Sequence, residues 1–328
     1  MSDFLSFRIT LFVQQIVWPL LAAGVLARGR RRASGIWDRA SYGLLAVGYM
    51  AFGALAGRWD VLATWLRPTL LAATTVAAVL FVVLFRNAAP VAGRAHRQKV
   101  WPRILLGVSI SSLVLVTRLE GAPAATVALD FPLSNGRFYV VQGGASYLLN
   151  YHRVSAAQKF ALDITKLGPG ARRAAGVLPN VPQAYFVYGN DVIAPCAGRV
   201  RYSLDGLADS SIPSGDVHDP AGNYVAIDCS GKEVTVVLAH LRKGSLRVHT
   251  AENVTSGQLV ASAGQSGHSS EPHLHIHAAR ATDDRGLRGV GVPITFGDRF
   301  LIKNDTFGAA LRPVALSNES DPIYCAQN

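Results

Sequence analysis

Three histidines crowd one short run, Glu271-Pro272-His273-Leu274-His275-Ile276-His277. Side chains on a strand alternate between faces, so His273, His275 and His277 share one face while Leu274 and Ile276 occupy the other. Imidazole is the commonest protein ligand for zinc, and two on one strand with a single residue between them converge on a metal ion or on a substrate beside it. A solvated polar face is the plain alternative. Two other places bear on the choice. Val236-Val237-Leu238-Ala239-His240-Leu241 puts a lone histidine at the end of an otherwise apolar strand. Phe160-Ala161-Leu162-Asp163-Ile164 puts one carboxylate opposite Phe160, Leu162 and Ile164, where it is costly unless paired, exposed or bound to metal. Taken singly, His240 reads as a core histidine and Asp163 as a strand-end acceptor; their conjunction with the histidine run matters more.

The elements that must position these residues follow from the texture after Gly121, where short alternating or β-branched runs are broken by Gly, Pro, Asn and Asp. Candidate strands are Phe138 to Gln142, Phe160 to Thr165, Gly198 to Ser203, Tyr224 to Asp228, Glu233 to Leu241 and His273 to Ala279. Runs of this length between turn residues predict a mainly antiparallel β domain over residues 121–328. The polar stretch from Asp205 to Gly222 reads as a loop over the domain. Glu120 to Gly136 reads as a tether in preference to a lid. Cys196 and Cys229 flank predicted strands and can pair; Cys325 is then left over, and buried free thiols are the alternative.

Residues 1–120 are different in kind. Half of the 328 residues are hydrophobic and only 16% are charged, against roughly 25% in ordinary soluble domains. Of the net charge of +11, residues 1–120 hold 14 Lys and Arg against 4 Asp and Glu, or +10, leaving +1 for the remainder. Apolar stretches at Ile9 to Ala27, Ser41 to Gly57, Thr69 to Phe85 and Ile104 to Thr117 predict about four transmembrane helices, the fourth reaching full length only if Trp101 and Arg103 sit at the membrane interface. Arginines cluster after the first stretch, at Arg28 and Arg30 to Arg32, and again between the third and fourth, at Arg86, Arg94, Arg97 and Lys99. By the positive-inside rule both clusters are cytoplasmic, which delivers the β domain to the far side of the bilayer. The basic residues therefore read as a charge anchor, with no nucleic-acid partner. All three cysteines fall in the exported part, where disulfides persist.

The chain resembles the lysostaphin and LytM-type zinc metallopeptidases, which cleave peptide bridges of the bacterial cell wall. The resemblance covers about Asn150 to Phe296. It rests on the ordered set Ala161-Leu162-Asp163, Val192-Ile193-Ala194-Pro195, Gly222-Asn223-Tyr224-Val225, Ala239-His240-Leu241, Gly264-Gln265-Ser266-Gly267 and Pro272-His273-Leu274-His275. It implies a compact β-sheet fold holding one Zn²⁺, with Asp163 and His275 as metal ligands and His240 and His273 as the catalytic pair beside them. The family's remaining ligand is a histidine four residues before the aspartate, and that position is Lys159 here. His152, eleven residues before Asp163 in Asn150-Tyr151-His152, is the substitute this reading selects. His218 and an unfilled position are the alternatives. His277 stands where the family has an acid or amide, while His96, His249 and His268 read as surface residues.

The implied protein is a zinc endopeptidase anchored in the bacterial cytoplasmic membrane by several crossings. It would act on peptidoglycan stem or cross-bridge peptides on the periplasmic or extracellular side. The rival is an inactive scaffold of the same fold that binds or regulates a cell-wall hydrolase or division complex.

Overall fold

The computed structural model describes residues 2–33, 35–85, 87, 100–118, 121–212 and 219–309. Four helices lead the chain: α1 (Ser2–Arg32), α2 (Ile36–Ala56), α3 (Leu66–Leu84) and α4 (Val100–Arg118). Each predicted apolar stretch falls on one of them, but among the described residues only Leu66–Leu84 and Val100–Thr117 are both long and apolar enough to cross a membrane. Two of the four expected spans therefore meet that measure. The reason for α2 is visible in its packing. It lies among α1, α3 and α4, with Gly43 against Ala78, Gly48 against Gly107 and Gly53 against the Trp18 ring. Small residues let helix backbones approach closely, at the expense of the hydropathy that marks a lipid-facing helix. Arg103 of α4 ties that helix to α2: it pairs with Asp38 and donates to Ser41 Oγ at 3.0 Å.

The remaining chain forms β1 (Val127–Leu129), β2 (Gly136–Gln142), β3 (Leu162–Leu167), β4 (Asp191–Ile193), β5 (Gly198–Leu204), β6 (Asn223–Cys229) and β7 (Val234–Leu241). It continues through β8 (Asn253–Val254), β9 (Leu259–Ser262), β10 (Leu274–Ala281), β11 (Gly289–Val292), β12 (Ile294–Phe296) and β13 (Thr306–Ala309). Nine strands make the main sheet in the order β13-β2-β3-β10-β7-β6-β5-β8, with β11 also paired to β10. Their pairings are antiparallel, as the alternating runs predict.

One face of this sheet is the core. Val140, Leu162, Ile164, Val236, Leu238, Leu274 and Ile276 are buried there together with Val192 and Val260 of the β4–β9 pair. Each such side chain contributes about 1.5–3 kcal/mol on burial, so the register of the central strands is fixed by which residues face inward. The polar members of the same strands are thereby committed to the opposite face. Cys196 and Cys229 are joined in a disulfide with a Cα–Cα distance of 5.7 Å, closing the β5–β6 hairpin. Cys325, His96 and His218 lie outside the described residues.

The segment expected to be a tether belongs to the core. Val127–Leu129 pairs in parallel with Ile294–Phe296, and Leu129 and Leu133 are buried. The helices and the sheet are joined elsewhere, by the connection between α2 and α3. Trp59 and Asp60 in it are fully buried. Asn304 Nδ2 donates to Leu55 O at 2.7 Å, Trp59 N donates to Tyr139 Oη at 3.3 Å, and Thr64 N donates to Ala171 O at 3.0 Å.

Candidate metal centre

β3 and β10 are antiparallel neighbours, and their register sets Asp163 directly opposite His275. Directly opposed residues point to the same face, and with Leu162, Ile164, Leu274 and Ile276 turned into the core, the carboxylate and the imidazole must meet on the other side. His275 Nδ1 lies 3.0 Å from Asp163 Oδ1. His275 Nε2 lies 3.1 Å from His277 Nδ1. A donated Nε2–H there leaves Nδ1 as the nitrogen facing Asp163, the orientation that an outer partner imposes on a metal-binding histidine.

His152 arrives from a single 3₁₀ turn, Tyr151–Val154. Asn150 caps it: its Oδ1 accepts from His152 N at 3.1 Å, and its Nδ2 donates to Gly144 O at 3.1 Å and Ala161 O at 3.0 Å. One fully buried amide therefore ties the turn to the entrance of β3. His152 Nε2 consequently sits 3.0 Å from Asp163 Oδ2. One ligand atom each from His152, Asp163 and His275 fall within 4.8 Å of one another, and all three residues are buried. Two imidazoles and a carboxylate with a coordination position left over fit a catalytic zinc site. Lys159 is not in this group; its Nζ lies over the Phe160 ring, 5.1 Å from the centroid.

His240 reaches the cleft by a backbone device. Strict alternation would place it beside Leu238 in the core, yet it adopts φ = 62°, a left-handed conformation uncommon for a residue with a Cβ. That turn re-aims the ring, and its Nδ1–H donates to Ser266 O at 2.9 Å. His273 Nδ1–H donates to Glu271 O at 2.8 Å. Both rings are thus held with Nε2 away from those carbonyls, their centroids 4.8 Å apart, and His273 Nε2 is 3.5 Å from Asp163 Oδ1.

The electrostatics follow from burial and neighbours. Burial works to raise the Asp163 carboxyl, but His152 and His273 hold it well below the usual carboxylate range. Burial, joined by His273 and His275, pushes His240 well below the ordinary imidazole value. Burial takes His275 down to about 4 despite the adjacent Asp163. Burial also opposes protonation of His273, but there Asp163 prevails and the value rises.

The cleft has a volume of about 320 Å³, and His152, His240, His275 and His277 line it together with Tyr151 and His268. Surface placement was the expectation for His268, and it does lie exposed, at the mouth. His249 is exposed and does not line the cleft. A buried ion cluster stands behind the site: Arg58, Asp60 and Arg173 around Glu271. Burial tends to raise the Glu271 carboxyl, yet Arg173 and Arg58 bring it from 4.5 to about 2. A depressed carboxylate contributes its stability in full above the unfolded value and loses it as pH falls through the folded one. The melting-temperature gap between wild type and Glu271→Gln should therefore be widest above pH 4.5 and close as the pH approaches 2. A gap that does not change over that window would show the carboxylate to be unpaired.

A nine-stranded antiparallel sheet thus carries a His-Asp-His group able to hold a metal ion, with His240 lining the same cleft and the His273 ring packed beside it. Residues 184–285 match peptidase family M23, so the chain carries an M23 peptidase domain. The matched segment includes His240, His273 and His275; His152 and Asp163 lie upstream of it. None of the curated proteins matches this chain. Among solved structures, a zinc-containing peptidase from Vibrio cholerae is 19% identical over 52% of this chain and 39% of its own, with a TM-score of 0.28. Lysostaphin from Staphylococcus simulans is 18% identical over 31% of this chain and 41% of its own, with a TM-score of 0.22. The chain spans 53%, 35% and 37% of the length of three further matched structures.

Proposed function

We propose that the protein is a membrane-anchored zinc endopeptidase that hydrolyses peptidoglycan stem or cross-bridge peptides on the outer side of the bacterial cytoplasmic membrane. The observation that carries this reading is the convergence of His152, Asp163 and His275 on one point, with His240 lining the same cleft and the His273 ring 4.8 Å from the His240 ring. When bound, zinc supplies a Lewis acid that polarises the scissile carbonyl and makes water a nucleophile near neutral pH. The chain's own residues do the rest. His152, Asp163 and His275 would hold the ion, and His277 fixes which nitrogen His275 presents. His240 and His273 each keep Nδ1–H committed to a carbonyl. That leaves Nε2 of each ring as the atom that would move a proton, one taking it from the attacking water and the other steadying the developing oxyanion or delivering it to the leaving amine.

The membrane placement draws on two helices apolar enough to span and on the arginine clusters, which set both connections they occupy on the cytoplasmic side. The α2–α3 connection, which carries few charges, touches the sheet directly. Contact requires the two to share a side, in keeping with an outward-facing peptidase domain.

The test is metal analysis and hydrolysis with the full-length protein in detergent, since the sheet is tied to the helices by buried contacts. Near-stoichiometric zinc and release of peptides from purified peptidoglycan, both abolished by chelation and by His275→Ala, are expected. Zinc-free protein that cleaves nothing would replace this reading with the scaffold that binds a cell-wall hydrolase.

A further inference from the structure

The helical region reaches behind the catalytic pair through four buried charges. Arg58, in the α2–α3 connection, donates from Nε to Asp60 Oδ1 at 2.8 Å and from Nη2 to Asp60 Oδ2 at 2.6 Å. The same Nη2 donates to Glu271 Oε1 at 2.5 Å, while Arg173 Nε donates to Glu271 Oε2 at 2.8 Å. One carboxylate is therefore gripped at both oxygens, by an arginine from the helical region and an arginine from the sheet domain. All four residues are at most 7% exposed. The backbone of the gripped residue is the one that orients His273, whose Nδ1–H donates to Glu271 O. Ser269 Oγ donates to the same carbonyl at 2.7 Å, and Pro272 between them restricts the chain.

On the reading proposed above, we infer that Arg58 is a positioning residue for His273, so that the connection between α2 and α3 completes the active site and does not merely attach it to the helices. A contact needed only for attachment would be served as well by apolar packing of the kind Leu55 already makes with Leu149 and Ile302. Burying two ion pairs carries a desolvation penalty that their attraction scarcely repays, so such clusters are poor sources of stability and suit the fixing of one geometry. The cluster is also local in its effect. Arg58 touches none of His152, Asp163 or His275 and acts on His273 through Glu271 alone.

The experiment compares zinc-loaded full-length wild type with Arg58→Ala, Glu271→Ala and the double variant in detergent, measuring kcat and KM on a soluble cross-linked stem peptide, zinc content, and amide hydrogen exchange of residues 265–273. A small displacement of a catalytic group costs on the order of tenfold to hundredfold in rate. Arg58→Ala should lower kcat by that factor with KM and zinc content unchanged, and speed exchange in 265–273 while β2 and β6 stay protected. The double variant should lose no more than Glu271→Ala alone, because the two act in series. Should Arg58→Ala fail to fold, Arg58→Lys keeps the charge but lacks the fork that bridges two carboxylates, and should show the same pattern at smaller size. Unchanged kcat in the folded variants, or losses that add in the double variant, would overturn the inference. An inactive wild type would sink the peptidase reading instead; exchange in 265–273 then decides, and rates equal to wild type in the Arg58 variants would reject the positioning role.

Discussion

Replacing His152 with alanine should strip the protein of its metal. The residue supplies one of three donor atoms gathered within 4.8 Å, and two donors remain in its absence. Loss of a mere outer partner typically costs about 10- to 100-fold in metal affinity; loss of a ligand should exceed that and take hydrolysis with it. Zinc measured by atomic emission after dialysis against a weak chelator should drop from near one equivalent to a small residue. Lys159→Ala is the informative companion. It removes the side chain at the position where the family has its first histidine, yet that side chain is turned onto Phe160, so zinc content should not change. Retained zinc in His152→Ala with loss in Lys159→Ala would reverse the assignment.

His240→Ala and His273→Ala should do the opposite: keep the metal and lose the chemistry. Neither ring belongs to the donor group, whereas both have Nδ1 held by a backbone carbonyl, which leaves Nε2 for proton transfer. Removal of a proton-transferring side chain lowers the rate by about 10²- to 10⁴-fold. The expected result is zinc at the wild-type level, KM within the wild-type range, and kcat reduced by that factor in each variant. Because the two rings share one proton path, the double variant should be scarcely worse than either single one. Zinc lost along with activity in His240→Ala would show that the ring is a ligand and not part of the proton path.

Much of the site is legible in the sequence because a strand has a period of two. Once Leu274 and Ile276 are recognised as core, His275 and His277 have only one direction to point, and the same reasoning turns Asp163 toward them. The approach of His240 is not legible this way. Alternation assigns it to the core beside Leu238, and a left-handed backbone at φ = 62° reverses the answer; only the resemblance of Ala239-His240-Leu241 to a known motif points to it. Asn150 is intermediate, since its place in an Asn-x-His sequence is visible but its side-chain hydrogen bonds, which carry the turn to Asp163, are not. The helices show a different limit. An apolar run reads alike whether lipid or other helices cover it, so the packing of α2 among the other three helices cannot be read from its apolar run. The partnership of Arg58 with Glu271 leaves no local trace at all, being a contact across 213 residues.

The bonds that tie the α2–α3 connection and the end of α2 to the sheet have a mechanical consequence. An enzyme on a slack leash sweeps a volume and can pursue distant bonds, but a cleft bolted to its own bundle keeps one altitude and one tilt. On the function proposed above, with α3 and α4 seated in lipid, cutting would be confined to a thin layer of wall nearest the bilayer, and the scissile peptide would have to travel to the blade.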